Sequence, residues 1–274
     1  MKHGNTDTPA VRRSTFISSS GVDNILRTKS FNEKGPNHRR TLISFGSIAA
    51  LIGFILSGPV GSVLVLIIKP QPAWTSAANF VTNYNSLQTI PYYFGFILIG
   101  GMLILTVAHH LNADNEPPRD KMHIFLSVVW TTIFAAIIFF NYICQLAFVH
   151  HLAIDYKPEN DQLIATLTMA NPASLSWAIE MWGYAILGVA TWLLSAYYRE
   201  KNKAIYFLLI SNGVASVVGA ASYVYDGNWL LTTAGVASYA SWNILMIVLL
   251  ILIYRQSKSK YEISNTCHNQ TTCN

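Results

Sequence analysis

Charge is what this sequence has least of. Only 11% of its 274 residues are Asp, Glu, Lys or Arg, against roughly 25% in ordinary soluble domains. With 52% apolar residues and a mean hydropathy of +0.34, the composition excludes an ordinary soluble domain and indicates a membrane chain. The formal charge of +5 does not signal a nucleic-acid partner, because the basic residues form no patch interleaved with aromatics. Three cysteines are too few for a disulfide scaffold. Cys144 lies inside an apolar run and reads as a small buried residue, while Cys267 and Cys273 flank His268 at a spacing that fits no standard zinc pattern.

The chain also lacks a Walker loop, a nucleophile elbow, an HExxH motif and a dinucleotide fingerprint. These absences weigh against an enzyme without removing one, since membrane enzymes can scatter their motifs over several helices. No catalytic residue and no cofactor is predicted.

Against that background stand six apolar runs, at about 41–68, 87–108, 123–149, 174–198, 204–225 and 230–254. Each meets the roughly 20 residues needed to cross about 30 Å of hydrocarbon, and each must be helical to satisfy its backbone in lipid. The expected fold is all-α: a polytopic membrane protein with a six-helix domain over 41–254. Residues 1–40 read as a disordered basic tail and 255–274 as a short second tail. The first run starts too late and is too long for a cleaved signal peptide.

Orientation follows from the basic residues. Eight Lys and Arg precede the first run, two follow the second (Arg119, Lys121), three the fourth (Arg199, Lys201, Lys203) and three the sixth (Arg255, Lys258, Lys260). Only Lys69 and Lys157 lie on the other side. Every loop agrees, so both termini are expected in the cytoplasm, and the sequon at Asn269 would then be silent. The cell membrane, inner or plasma, is the expected location.

One carboxylate, Glu180, is the only Asp, Glu, Lys or Arg inside these runs. An intramembrane ionisable residue is a functional-site hypothesis by default. It lies six residues into the fourth run, roughly 9 Å below the outer end, with Trp177 and Tyr184 at helical spacing on its face. Asn141 and Gln145, i and i+4 in the third run, bracket that depth and are expected to hydrogen-bond the carboxyl group. The fifth run carries a stripe of Asn212, Ser216, Gly219 and Tyr223. The expected ligand or proton site is therefore Glu180, Asn141, Gln145, Tyr184, Trp177 and Tyr223, opening outward.

Helix packing is expected at Gly53, Ser57 and Gly61 in the first run and at Ser216 and Gly219 in the fifth, where small residues allow close approach. Gly58-Pro59 should kink the first span. Spans four to six contain no histidine, which excludes a two-haem, bis-histidine bundle. His109, His110 and His123, near one membrane face, remain weak candidates for a single metal or haem.

Three readings compete. The first is a protein that binds or moves a small solute or ion around Glu180. The second is a non-catalytic subunit or sensor acting through a homo-oligomer or a membrane protein partner. The third is a membrane enzyme or redox carrier.

Overall fold

A computed structural model describes the backbone of residues 36–271 and the side chains of 39–259. Most of the expected N-terminal tail, and the side chains around Cys267, Asn269 and Cys273, lie outside the described residues. Among those that are described there is helix and no strand.

Among the described residues, six segments are long and apolar enough to cross a membrane. The first, Arg39–Ile68, consists of α1 (Pro36–Ser57) and α2 (Pro59–Ile68), separated at Gly58. Proline has no N–H to donate and cannot continue a regular turn, so it ends one helix and opens the next. Across the break Gly58 N donates to Phe54 O at 3.0 Å and Ser62 N to Gly58 O at 3.1 Å. The second span runs Ser86–Leu111, with a short 3₁₀ turn leading into α4 (Ile90–Leu111). In the connection before it lies α3 (Ala77–Thr82), capped by Ser76 Oγ, which accepts from Asn79 N at 3.1 Å.

The third span, Pro118–Ile154, is longer at both ends than its apolar run. It comprises α5 (Pro118–Ile143), a π-helical turn at Cys144–Val149 and α6 (His150–Ile154). After α7 (Asp161–Leu167), the fourth span joins α8 (Leu175–Leu194) to a 3₁₀ turn at Ser195–Tyr198. The fifth is α9 (Lys203–Tyr225); the sixth lies within α10 (Thr233–Thr271), which continues through the stretch expected as a tail.

Each span packs against the next in sequence, and the sixth returns to the first, so the principal contacts close a ring. Lipid tails are as apolar as leucine, so close packing and interhelical hydrogen bonds, rather than apolar burial, hold such a ring together. The crossing of the first two spans is tight. A Cβ on Gly53 would lie 2.2 Å from Leu98 N, and one on Gly101 would lie 2.3 Å from Ala50 N. The fourth and fifth spans also meet closely, where a Cβ on Gly213 would stand 2.7 Å from Gly188 O.

The half of the ring towards Arg39, Arg119 and Arg199 is filled by large side chains, among them Leu98, Met102, Phe134, Leu187, Leu209 and Leu249. Its rim is tied by ion pairs. Arg39 bonds Asp114 and the Leu111 carbonyl, Lys201 bonds Glu116, and Arg199 lies 3.5 Å from Asp120. At the opposite end a second apolar cluster, Ala77, Phe80, Val149, Ala153 and Ile164, packs α3 and α7 onto the third span. Outward-facing residues such as Ile67, Phe140, Phe207 and Ile244 are exposed and apolar, as a lipid-facing surface requires.

Candidate functional site

Ser174 starts α8: its hydroxyl accepts from Trp177 N at 3.2 Å, satisfying one of the donors that a helix start leaves free. Two turns further on, Glu180 points into the bundle and is 9% exposed. Two neighbours on the third span hold its carboxyl group. Asn141 Nδ2 donates to Oε2 at 3.0 Å, and the Tyr142 hydroxyl donates to Oε1 at 2.8 Å. Asn141 Nδ2 also donates to the Ser176 carbonyl at 3.1 Å, so the same amide ties the carboxylate to the first turn of its own helix. The hydroxyls of Tyr142 and Tyr184 are 3.4 Å apart, which extends the network one turn along α8.

Gln145 does not reach Glu180. It lies on the π-helical turn, one turn further along the third span than Asn141, and both amides meet Ser176, Asn141 at the carbonyl and Gln145 at the hydroxyl, so Gln145 reaches α8 one turn before Glu180. It binds the end of α7, the connection after it and the first turn of α8 instead. Nε2 donates to Leu167 O at 2.7 Å and to Ser176 Oγ at 3.1 Å, while Oε1 accepts from Met169 N at 3.0 Å. Trp177 acts on the same segment, its indole N–H donating to Met169 O at 2.7 Å. The expected pair of amides on the carboxylate is thus one amide and one phenol.

Above the packed half of the ring lies a cavity of about 830 Å³, bordered by residues from all six spans. Glu180, Gln145, Trp177 and Tyr184 line it, together with Ser57, Ser216 and Gly219. Among the described residues, Glu180 is the only Asp, Glu, Lys, Arg or His on its wall. Much of the remaining surface is aromatic, with Tyr92, Tyr142, Tyr239 and Trp242 joining Trp177 and Tyr184. The rings touch one another: Tyr92 and Tyr142 are 5.3 Å apart between centroids, Tyr184 and Trp242 5.4 Å, and Tyr239 and Trp242 6.2 Å. Trp242 is fixed by its indole N–H, which donates to Ser216 Oγ at 3.1 Å.

Of the other residues singled out from sequence, Tyr223 does not line the cavity; its hydroxyl donates to Pro172 O at 2.8 Å and pins the fifth span to the connection before α8. Gly53 packs on the second span, whereas Gly61 in α2 faces the end of α1 across the break, where a Cβ would lie 1.8 Å from the Leu56 carbonyl oxygen. At Gly219 the nearest atom, Met181 Cε, is 3.9 Å away, so this position is roomy. His109 is fully buried with both ring nitrogens engaged, Nδ1 at 2.7 Å from Leu105 O and Nε2 at 2.5 Å from the Tyr198 hydroxyl. His110 packs against Phe125, and His123 sits one turn earlier on α5 than Ser127. Among the described residues no three His, Cys, Asp or Glu side chains come together as metal ligands would.

Tyr142, Trp242, Tyr92 and Tyr239 were not singled out as site residues from sequence. Tyr142 adjoins Asn141, about 100° away around a helix, and the two oxygens of one carboxyl group let both reach it. Their only sequence signal is a phenol or indole inside an apolar run.

Six helices of spanning length, arranged around an interior polar group, define the architecture of a multi-pass membrane protein. The chain matches no family model, no curated protein and no solved structure.

Proposed function

We propose that this protein binds or moves a small solute or ion in the cavity around Glu180. The observation that carries the reading is a buried carboxylate, the one such group among the described residues on the wall of an 830 Å³ space bordered by all six spans. That volume falls within the range of about 300–1,000 Å³ typical of small-molecule sites. A carboxylate is costly to place at this depth, and two donors from the third span keep it there at a fixed position.

The cavity lies towards the end that carries Lys69 and Lys157, away from the cluster of basic residues. Positive residues favour the cytoplasmic side, so the termini are placed in the cytoplasm and the cavity faces outward at the cell membrane. The apolar packing beneath it, through Leu98, Phe134 and Leu187, also favours a second reading, a sensor that binds its ligand without passing it on.

Native mass spectrometry of the protein released from mild detergent tests the first reading. A small molecule should accompany the wild type and be lost or reduced in Glu180→Gln, with both proteins equally monodisperse. Retention of the same molecule at equal occupancy by the variant would remove Glu180 from the site. Uptake into vesicles then separates carrier from sensor.

A further inference from the structure

Resting on that reading of the cavity, we infer that its ligand is an organic cation, with an ammonium head placed at Glu180 against the aromatic wall and an apolar body filling the rest.

The argument begins with sign. Among the described residues Glu180 is the only Asp, Glu, Lys, Arg or His lining the cavity, so none of them offers a basic group to receive an anion. Its carboxyl oxygens each accept one hydrogen bond, from Asn141 and Tyr142, and each retains a further lone pair. A positive centre nearby therefore meets a carboxylate already held in place. In surroundings of low dielectric, that attraction exceeds its value in water.

Next comes the surface. Tyr142, Tyr184 and Trp242 form a connected run leading from the carboxylate, with the Tyr142 and Tyr184 hydroxyls 3.4 Å apart and the Tyr184 and Trp242 rings 5.4 Å apart. Aromatic faces attract cations and are the recurrent means of recognising alkylated ammonium groups. A bare metal ion does not suit this wall. Such an ion takes about six oxygen ligands in a close shell, whereas Glu180 is the only carboxylate among the described residues of the wall and the space is many times an ion's volume. A neutral apolar molecule would fit the rings but would leave the carboxylate without a role. Size, sign and aromatic lining agree on one class only.

The test compares benzyltrimethylammonium with its uncharged isostere neopentylbenzene, using wild-type protein in phosphatidylcholine nanodiscs, empty nanodiscs as the partition blank, and tryptophan fluorescence as the readout. The cation should bind at least about tenfold more tightly than the isostere. Glu180→Gln should erase that preference while leaving the affinity for the isostere unchanged. Trp242→Leu should weaken cation binding by roughly 3- to 30-fold, which keeps the inference testable should Glu180→Gln fold poorly. Equal or tighter binding of the isostere by the wild type would overturn the organic-cation assignment and leave the small-solute reading standing. Binding of neither compound at millimolar concentration would overturn both.

Discussion

The hydroxyl of Tyr142 donates to Glu180 Oε1 at 2.8 Å, joining the third and fourth spans at the wall of the cavity. With Asn141 on the other oxygen, the carboxyl group is gripped by two consecutive residues of one helix. Tyr142→Phe removes one of these donors while keeping the ring that packs on Tyr92 and Phe96. Loss of a buried partner costs about 1–3 kcal/mol, so unfolding in a graded detergent titration should occur earlier by that amount. An unchanged midpoint would show that the bond adds nothing net.

Gln145 makes three hydrogen bonds, to Leu167 at the end of α7, to Met169 in the connection and to Ser176 in the first turn of α8. Gln145→Leu keeps the bulk and deletes all three. The Met169 amide, now without its acceptor, should exchange with deuterium at least about tenfold faster, as expected when a local opening becomes 1.4 kcal/mol easier. Exchange at wild-type rates would mean that Trp177, bonded to Met169 O, holds the segment unaided.

Gly53 and Gly219 were both expected from sequence to be packing positions, and the structure separates them. A methyl group at Gly53 would overlap Leu98 N at 2.2 Å, whereas at Gly219 the nearest contact is 3.9 Å. Gly53→Ala should therefore lower stability by about 1–3 kcal/mol through overpacking. Gly219→Ala should be neutral or slightly stabilising, since alanine favours helix. Thermal unfolding monitored by size-exclusion chromatography checks both; equal losses would contradict the crossing described.

Topology has its own test. In a background with the three cysteines replaced by alanine, Lys157→Cys should react with a membrane-impermeant maleimide on intact cells. Lys203→Cys should react only after permeabilisation. The reverse pattern would invert the protein and turn the cavity towards the cytoplasm.

How much of this was legible in the residues differs from feature to feature. Six runs of apolar side chains of spanning length are a property of composition along the chain, and lipid leaves such runs little choice but helix. The depth of Glu180 follows from counting residues at a fixed rise, and the asymmetry of the basic residues needs no coordinates. The partners of Glu180 were harder to read. Asn141 and Gln145 do share a face, since both bond Ser176, but the stagger of the third span against the fourth, which periodicity does not give, sets Gln145 one turn before Glu180.

By itself, then, the sequence determined the number of spans, their helical state and the depth of the one carboxylate inside an apolar run, because each depends on local composition and helix geometry alone. Only the tertiary structure decided that Tyr142 rather than Gln145 bonds Glu180, that Gly53 is crowded where Gly219 is not, and that aromatic rings from different spans meet around one cavity. These depend on how each helix is rotated and staggered against its neighbours. Periodicity defines a face relative to a helix's own axis, and packing chooses what that face meets.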